Sequence, residues 1–491
     1  MKFTRLSSAL AVAVLAFNLS ARAELKLAAI FGHNMVLQQQ QPVPVWGWAA
    51  PGTAVTVKFA SQFKSTHADT TGKWLVKLRK MKASGSPQEL MVEEIVASKK
   101  ANFITLTNIL VGEVWLASGQ SNMEKPIGLQ RGQKPTFNAE AELAAANYPN
   151  IRIFKIEKML SATPRTDLEK FYGWQACSSN ALNSVSFSAA AYFFGREIHT
   201  NLNVPVGLIE SSWGGTRIEP WTPPVGFQSV PSLEKITTPD FGTNKIPNTA
   251  PTVLYNAMIA PIVGFALRGA LWYQGESNRS DTNYDAKMFA LVGGWRKIWN
   301  EGNFPFYFVQ IAPYSYVKSL TNYVADTDPL PRFWLQQSRA ARHIKNTGMI
   351  VTTDLVDDLN DIHPRDKATV GHRLALLALD KTYNQAVTCF GPALANAKFT
   401  GSKAVLSFDY TYRGLQSRDG QPLTWFEIAG TDGKFVPAEA KITGKETMEV
   451  SAAGVDKPAA VRFAWHQLAQ PNLTNGAGLP AEPFRTDAPV K

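Results

Sequence analysis

The stretch GEVWLASGQSNME, Gly112 to Glu124, decides how the chain is read, because an apolar run stops abruptly at a small polar turn. Val114, Trp115, Leu116 and Ala117 read as a buried strand. Gly119 permits a tight turn, and Ser121 follows it between two side-chain amides, Gln120 and Asn122. In a mixed α/β domain, ligands gather at the carboxyl ends of strands. A hydroxyl raised there at a strand-to-helix junction is a candidate nucleophile, provided a base can be found. Taken alone, the same four residues also suit a turn or a helix cap.

Working outward, apolar strands alternate with helical stretches. The strands are IRIFKI, PVGLIESSW, FALRGALWYQGES, PFYFVQIAP and GMIVTTDL, and Phe187, Ala190, Ala191 and Phe194 share one face of an intervening helix. That rhythm predicts an α/β domain with a parallel sheet covered on its faces. Upstream, Val55, Val57 and Phe59 alternate with polar residues, as do Trp74, Val76 and Leu78, and Pro51-Gly52 and Gly72 supply turns. This is the pattern of a small β-sandwich. A β pattern returns near Asn396, with Asp432-Gly433 as a hairpin turn. A chain of 491 residues exceeds the roughly 250 to 300 at which single cores stop growing. The expected division is a targeting segment at 1–23, a β-sandwich at 24–110, the α/β domain at 111–394 and a second β-sandwich at 395–491. The Pro-rich piece from Trp221 to Thr252 reads as a long loop.

Composition narrows the function. Hydrophobic residues at 45% and charged residues at 18% describe a folded protein. The net charge of +11 is spread out, with no basic cluster of the kind that tracks a phosphate backbone, so nucleic acid is not an expected partner. Lys2 and Arg5, a short apolar run and the Ala21-Arg22-Ala23 cleavage pattern make the first residues a signal peptide, and export to the periplasm or medium is expected. No later segment is long and apolar enough to insert in a membrane. Cys177 and Cys389 either pair or stay as buried thiols, and spacing does not choose between them.

Three further strand ends hold polar residues. In ESSWGGTRIEPW, Gly214 and Gly215 can turn backbone N–H groups toward a common centre, as an oxyanion site requires. WYQGESN places Gln274 near Glu276. In DLVDDLNDIHPRDK, His363 sits among Asp357, Asp358 and Asp361, and a carboxylate beside a His can orient it as a base. A metal site is the rival there, but no H-E-x-x-H or Cys cluster accompanies it, so no metal is expected. The elbow G-x-S-x-G does not surround Ser121, which disfavours the α/β-hydrolase fold.

Together GEVWLASGQSNM, SSWGGTRIEPW, WYQGESN, IHPRDK and the terminal GLPAEPFRTD resemble the sialate O-acetylesterases of the SGNH hydrolase superfamily, over nearly the whole chain past the signal peptide. The resemblance implies a three-layer α/β/α catalytic domain with N- and C-terminal β-sandwiches, and cofactor-free hydrolysis of acetyl esters on a glycan such as sialic acid. It implies Ser121 as nucleophile and His363 as base, with Ser121 N–H, a Gly214 or Gly215 N–H and the Gln274 amide as oxyanion donors. The superfamily's D-x-x-H block is altered: Asn360 stands three before His363, and Asp361 stands two before. Asp361 is the candidate acid, with Asp358 or a backbone carbonyl as alternatives. Gln120, Asn122, Trp213, Arg217, Trp272 and Glu276 are the candidate substrate-binding residues, the aromatics for stacking on sugar and Arg217 for a sugar carboxylate. Removal of acetyl groups from xylan, a non-catalytic glycan-binding role and a lipid esterase are the alternatives. Oligomeric state is not legible.

Overall fold

The computed structural model describes residues 24–96, 99–130, 132–317 and 329–487, so the expected signal peptide lies outside it. One strand organises the rest. Lys99–Gly119 is 21 residues long, and its first half pairs antiparallel with Ser84–Val96, which in turn pairs with Ala54–Phe59. Its second half is the middle of a seven-strand path running Phe171–Ser178, Asn147–Ile156, Val206–Ser212, Lys99–Gly119, Gly269–Tyr273, Phe306–Val309 and Thr347–Ile350. Every neighbouring pair on that path is parallel except the first.

The domain boundary expected between residues 110 and 111 therefore falls inside a strand. Exposed and buried residues mix as far as Asn108, and from Ile109 the strand is buried continuously. What changes there is burial on the second face, which a periodicity reading takes for a break in the chain. The apolar core is likewise continuous: Val57, Trp74 and Leu110 of the N-terminal part belong to one cluster with Trp272, Trp295 and Phe306.

Alternation along the parallel strands sends side chains to opposite faces. Trp115, Ala117, Leu208, Leu271 and Tyr273 pack with helices Ala189–Leu202 and Lys367–Lys381. Leu116, Ile209, Ala270 and Phe306 pack with helices Tyr284–Trp299 and Pro329–His343. Each helix of the first pair has a side-chain cap. Ser188 Oγ accepts the Ala191 N–H at 3.2 Å, and Asp366 Oδ1 accepts the Thr369 N–H at 2.9 Å. The second cap matters for function, because it makes Lys367 the first helical residue.

Beyond residue 392, two four-stranded sheets enclose Leu406, Phe408, Ile428, Val450 and Phe463. The turn expected at Asp432-Gly433 joins Phe426–Gly430 to Phe435–Pro437, with Gly433 at φ +69°. Cys177 and Cys389 are both buried and both free. No helix among the described residues is long and apolar enough to cross a membrane.

Candidate active site

Gly119 takes φ +138°, and a Cβ there would lie 2.2 Å from the Tyr273 carbonyl oxygen, so no other residue fits. The close approach lets the Gln120 N–H donate to the same carbonyl at 3.0 Å. The chain then turns into a one-turn helix, Ser121–Glu124, in which the Met123 and Glu124 N–H groups return to Gln120 O at 2.9 Å. Ser121 is half-buried at the start of this turn, where an N–H has no intrahelical acceptor.

Asn122 brings the base to it. Buried completely, it donates from Nδ2 to Ile362 O at 3.0 Å and to Glu276 Oε1 at 2.5 Å, and its Oδ1 accepts from Lys367 Nζ at 2.8 Å. The residue after Ser121 is thereby bonded to the residue before His363. Asp361 Oδ1 lies 3.4 Å from His363 Nδ1 and also accepts the His363 N–H at 2.9 Å. Asp358, the alternative acid, instead pairs with Lys134 at 2.9 Å.

Two expected oxyanion donors are engaged elsewhere. Gly214 does lie against the nucleophile, since a Cβ there would come within 3.1 Å of Ser121 Cβ. Its N–H, however, donates to Glu124 Oε2 at 2.7 Å. Gln274 is fully buried, and its NH2 group is shared among Gln120 Oε1 (3.1 Å), Thr216 O (3.2 Å) and Asn278 Oδ1 (2.7 Å), while its Oε1 accepts from Tyr284 at 2.7 Å. A buried amide satisfies its donors locally, so Gln274 braces the floor rather than facing a substrate. Gly215, exposed at φ +75°, and Ser121 keep N–H groups that donate to no protein acceptor among the described residues.

The candidate substrate-binding residues divide in the same way. Gln120 is buried and accepts the Gly275 and Ser277 N–H groups, each at 3.3 Å. Arg217 is held by Asp281 at 2.8 and 2.9 Å and by Glu219 at 3.1 Å, so its expected pairing with a sugar carboxylate would have to share these partners. Trp272 is 1% exposed and crosses Trp221 and Trp295 edge-on at 6.3 and 6.0 Å, so it is core, and truncating it to alanine should cost about 3–5 kcal/mol. Asn122 and Glu276 are buried positioning groups, not contact groups. Of the six only Trp213 and Arg217 are half-buried, and Trp213 stands beside Gly214 with Lys158 Nζ 5.9 Å from its ring.

Lys367 is the residue that sequence reasoning missed. It is fully buried, donates to Asn122 Oδ1 and to Pro364 O at 2.8 Å each, and stands 5.1 Å from the Tyr273 ring centroid. A signal existed: Lys367, Val370, Gly371 and Leu374 share one helical face, so the lysine was on the apolar stripe. Burial and the nearby Lys125 charge push its ammonium down to about 7. Burial raises the Glu276 carboxyl, whose Oε2 has no hydrogen-bond partner among the described residues.

Burial first, then the Lys367 charge, lowers His363 to about 4, against the pull of Asp361. A general base works unprotonated, so the acid limb of kcat/KM should fall near pH 4 instead of the 6.5 of a free imidazole. Lys367→Met removes one repelling charge and should move that limb to higher pH. A pH–rate profile of the two proteins checks this, and coincident limbs would refute it.

Residues 111–380 match the family described as carbohydrate esterase, sialic acid-specific acetylesterase. The human sialate O-acetylesterase is 31% identical across 94% of this chain and 92% of its own length, and the mouse protein is 31% identical across 90% and 89%. The crystal structure of a carbohydrate acetylesterase from Xanthomonas citri superposes with a TM-score of 0.83 at 34% identity, covering 94% of this chain and all of that one. These relatives support a carbohydrate esterase, and in the structure the Ser121 turn is tied to the His363 loop through the Asn122–Ile362 hydrogen bond. The chain belongs to the sialic acid-specific acetylesterase family of carbohydrate esterases.

Proposed function

We propose that the protein is an exported serine esterase that removes O-acetyl groups from carbohydrates, O-acetylated sialic acids first among them. The observation that carries this is the Asn122–Ile362 hydrogen bond, which joins the nucleophile turn to the histidine loop with Asp361 beside the imidazole. In this reading Ser121 Oγ attacks the acetyl carbonyl while His363 takes its proton. The oxyanion is held by the Ser121 and Gly215 N–H groups, and His363 passes the proton to the departing sugar oxygen. Water, deprotonated by the same imidazole, then releases acetate from the acetyl-serine. The scaffold is read as an SGNH-type three-layer domain flanked by β-sandwiches, and the first 23 residues as a cleaved signal peptide.

Sialic acid as the substrate is supported by the human and mouse relatives. The Xanthomonas citri structure, described only as a carbohydrate acetylesterase, favours a second reading in which the ester sits on another polysaccharide such as xylan. Acetate release from O-acetylated sialic acid and from acetylated xylan, measured side by side, tests both. Faster release from the sialic acid is expected; faster release from xylan would transfer the assignment, and none from either, with a model ester also inert, would defeat it.

A further inference from the structure

A cavity of about 550 Å³ opens between the helix Pro329–His343, the loop at Arg279 to Thr282 and the C-terminal unit. Its wall carries four guanidinium groups, Arg279, Arg332, Arg339 and Arg485, against one carboxylate. That carboxylate, Asp281, is already neutralised by Arg217 at 2.8 Å and Lys287 at 2.5 Å. The guanidiniums have protein contacts of their own, Arg279 over the Tyr316 ring at 4.3 Å and Arg485 with Asp487 at 2.6 Å. Asp487 offsets Arg485 as Arg217 and Lys287 offset Asp281, so the cavity is lined by an excess of guanidinium groups, and an arginine fork with five donors can serve a protein partner and a ligand together.

Two observations on the other wall point to a sugar. Trp465, 1% exposed, borders this cavity and a second of about 270 Å³, and its indole N–H has no acceptor among the described residues. Buried indole donors normally find a partner, and a ligand oxygen in either cavity would supply one. The second cavity is bounded by Trp425, 37% exposed and held at φ +67°, with its ring 5.5 Å from that of His466. Bulky residues adopt this left-handed conformation at a cost, and such strain concentrates at ligand clamps. Amphipathic rings beside a cationic pocket suit a saccharide that bears a carboxylate.

We propose that this cleft is a subsite for an acidic oligosaccharide, its carboxylate among Arg279, Arg332, Arg339 and Arg485, with a neighbouring sugar stacked on Trp425 and one of its oxygens at the Trp465 indole N–H. It rests on the carbohydrate esterase reading. The loop that supplies Arg279 also donates the Ser277 N–H to Gln120 Oε1 at 3.3 Å, and Gln120 precedes the nucleophile. None of the six residues takes part in ester cleavage.

The test is calorimetric titration of the full chain carrying Ser121→Ala with trigalacturonate, xylotriose and inorganic phosphate. Trigalacturonate should bind, and Arg332→Ala, Arg339→Ala and Trp425→Ala should each weaken it about tenfold, the order expected from losing one charge-assisted hydrogen bond or one stacking contact. Trp465→Phe removes the N–H but also leaves a cavity at a buried site, so it should lower both affinity and melting temperature, and the exposed Trp425→Ala is the variant expected to lower affinity alone. With Ser121 restored, the arginine variants should raise KM on acetylated pectin and leave 4-nitrophenyl acetate hydrolysis unchanged. Equal binding of xylotriose, equal competition by phosphate (an anion site only) or unaltered affinity in the variants would each overturn the proposal. Failure of the esterase reading shows separately, as inert 4-nitrophenyl acetate in the wild type.

Discussion

Replacing Ser121 with alanine is expected to lower kcat for ester hydrolysis by about a millionfold, the loss that removing the nucleophile of a serine hydrolase produces. The size follows from what the site contains. No second hydroxyl or thiol stands on the turn that Gly119 and Gln120 build, and both cysteines are buried with thiols pushed up to about 12. The melting temperature should hold, because Ser121 Oγ donates to no protein group among the described residues and the turn is kept by Asn122 and Gln120. His363→Gln should cost nearly as much, and the double variant little more than either, since a base without a nucleophile has nothing to deprotonate. Stopped-time acetate assays on the three variants measure this. Additive losses would mean that the two residues do not act as a unit.

Asp361→Asn should lower kcat by about ten-thousandfold, the effect of leaving a catalytic histidine in the wrong tautomer. Asparagine still offers a carbonyl oxygen to the His363 N–H, now 2.9 Å from Asp361 Oδ1, so the loop keeps its shape and the loss is one of charge and proton placement. Asp361→Ala should add a loss of stability because it removes that acceptor as well. Asp358→Asn should leave kcat unchanged, since Asp358 faces Lys134 on the surface. A collapse of activity in the Asp358 variant with a spared Asp361 variant would reverse the assignment of the acid. The altered spacing of the histidine block is accommodated because Asp361 contacts both the backbone N–H and the ring of His363, which only a residue two positions before it does here.

Much of this was legible in the residues alone. The continuous apolar run before Gly119, the strands that alternate with helices and the turn chemistry at strand ends are local patterns, and they pointed to the α/β class and to Ser121 and His363 as candidates, whose roles of nucleophile and base came from the family resemblance. The boundary expected near residue 110 has the same local origin: it was placed where the strand Lys99–Gly119 gains cover on its second face.

What the tertiary structure alone decided is which polar groups are spent and which are left to meet a substrate. Gln274 and Gln120 bond across 154 residues of chain, Lys367 and Asn122 across 245, and Arg217 reaches Asp281 across 64. Those partners engage an expected oxyanion donor and an expected carboxylate receptor inside the protein, and set an unremarked lysine against the Ser121 turn. A buried donor must be satisfied wherever its nearest acceptor lies. Periodicity and turn chemistry reach a few residues along the chain, whereas hydrogen-bond satisfaction is settled by neighbours in space, so residue types could name the machinery but only packing could show which of its donors remain available.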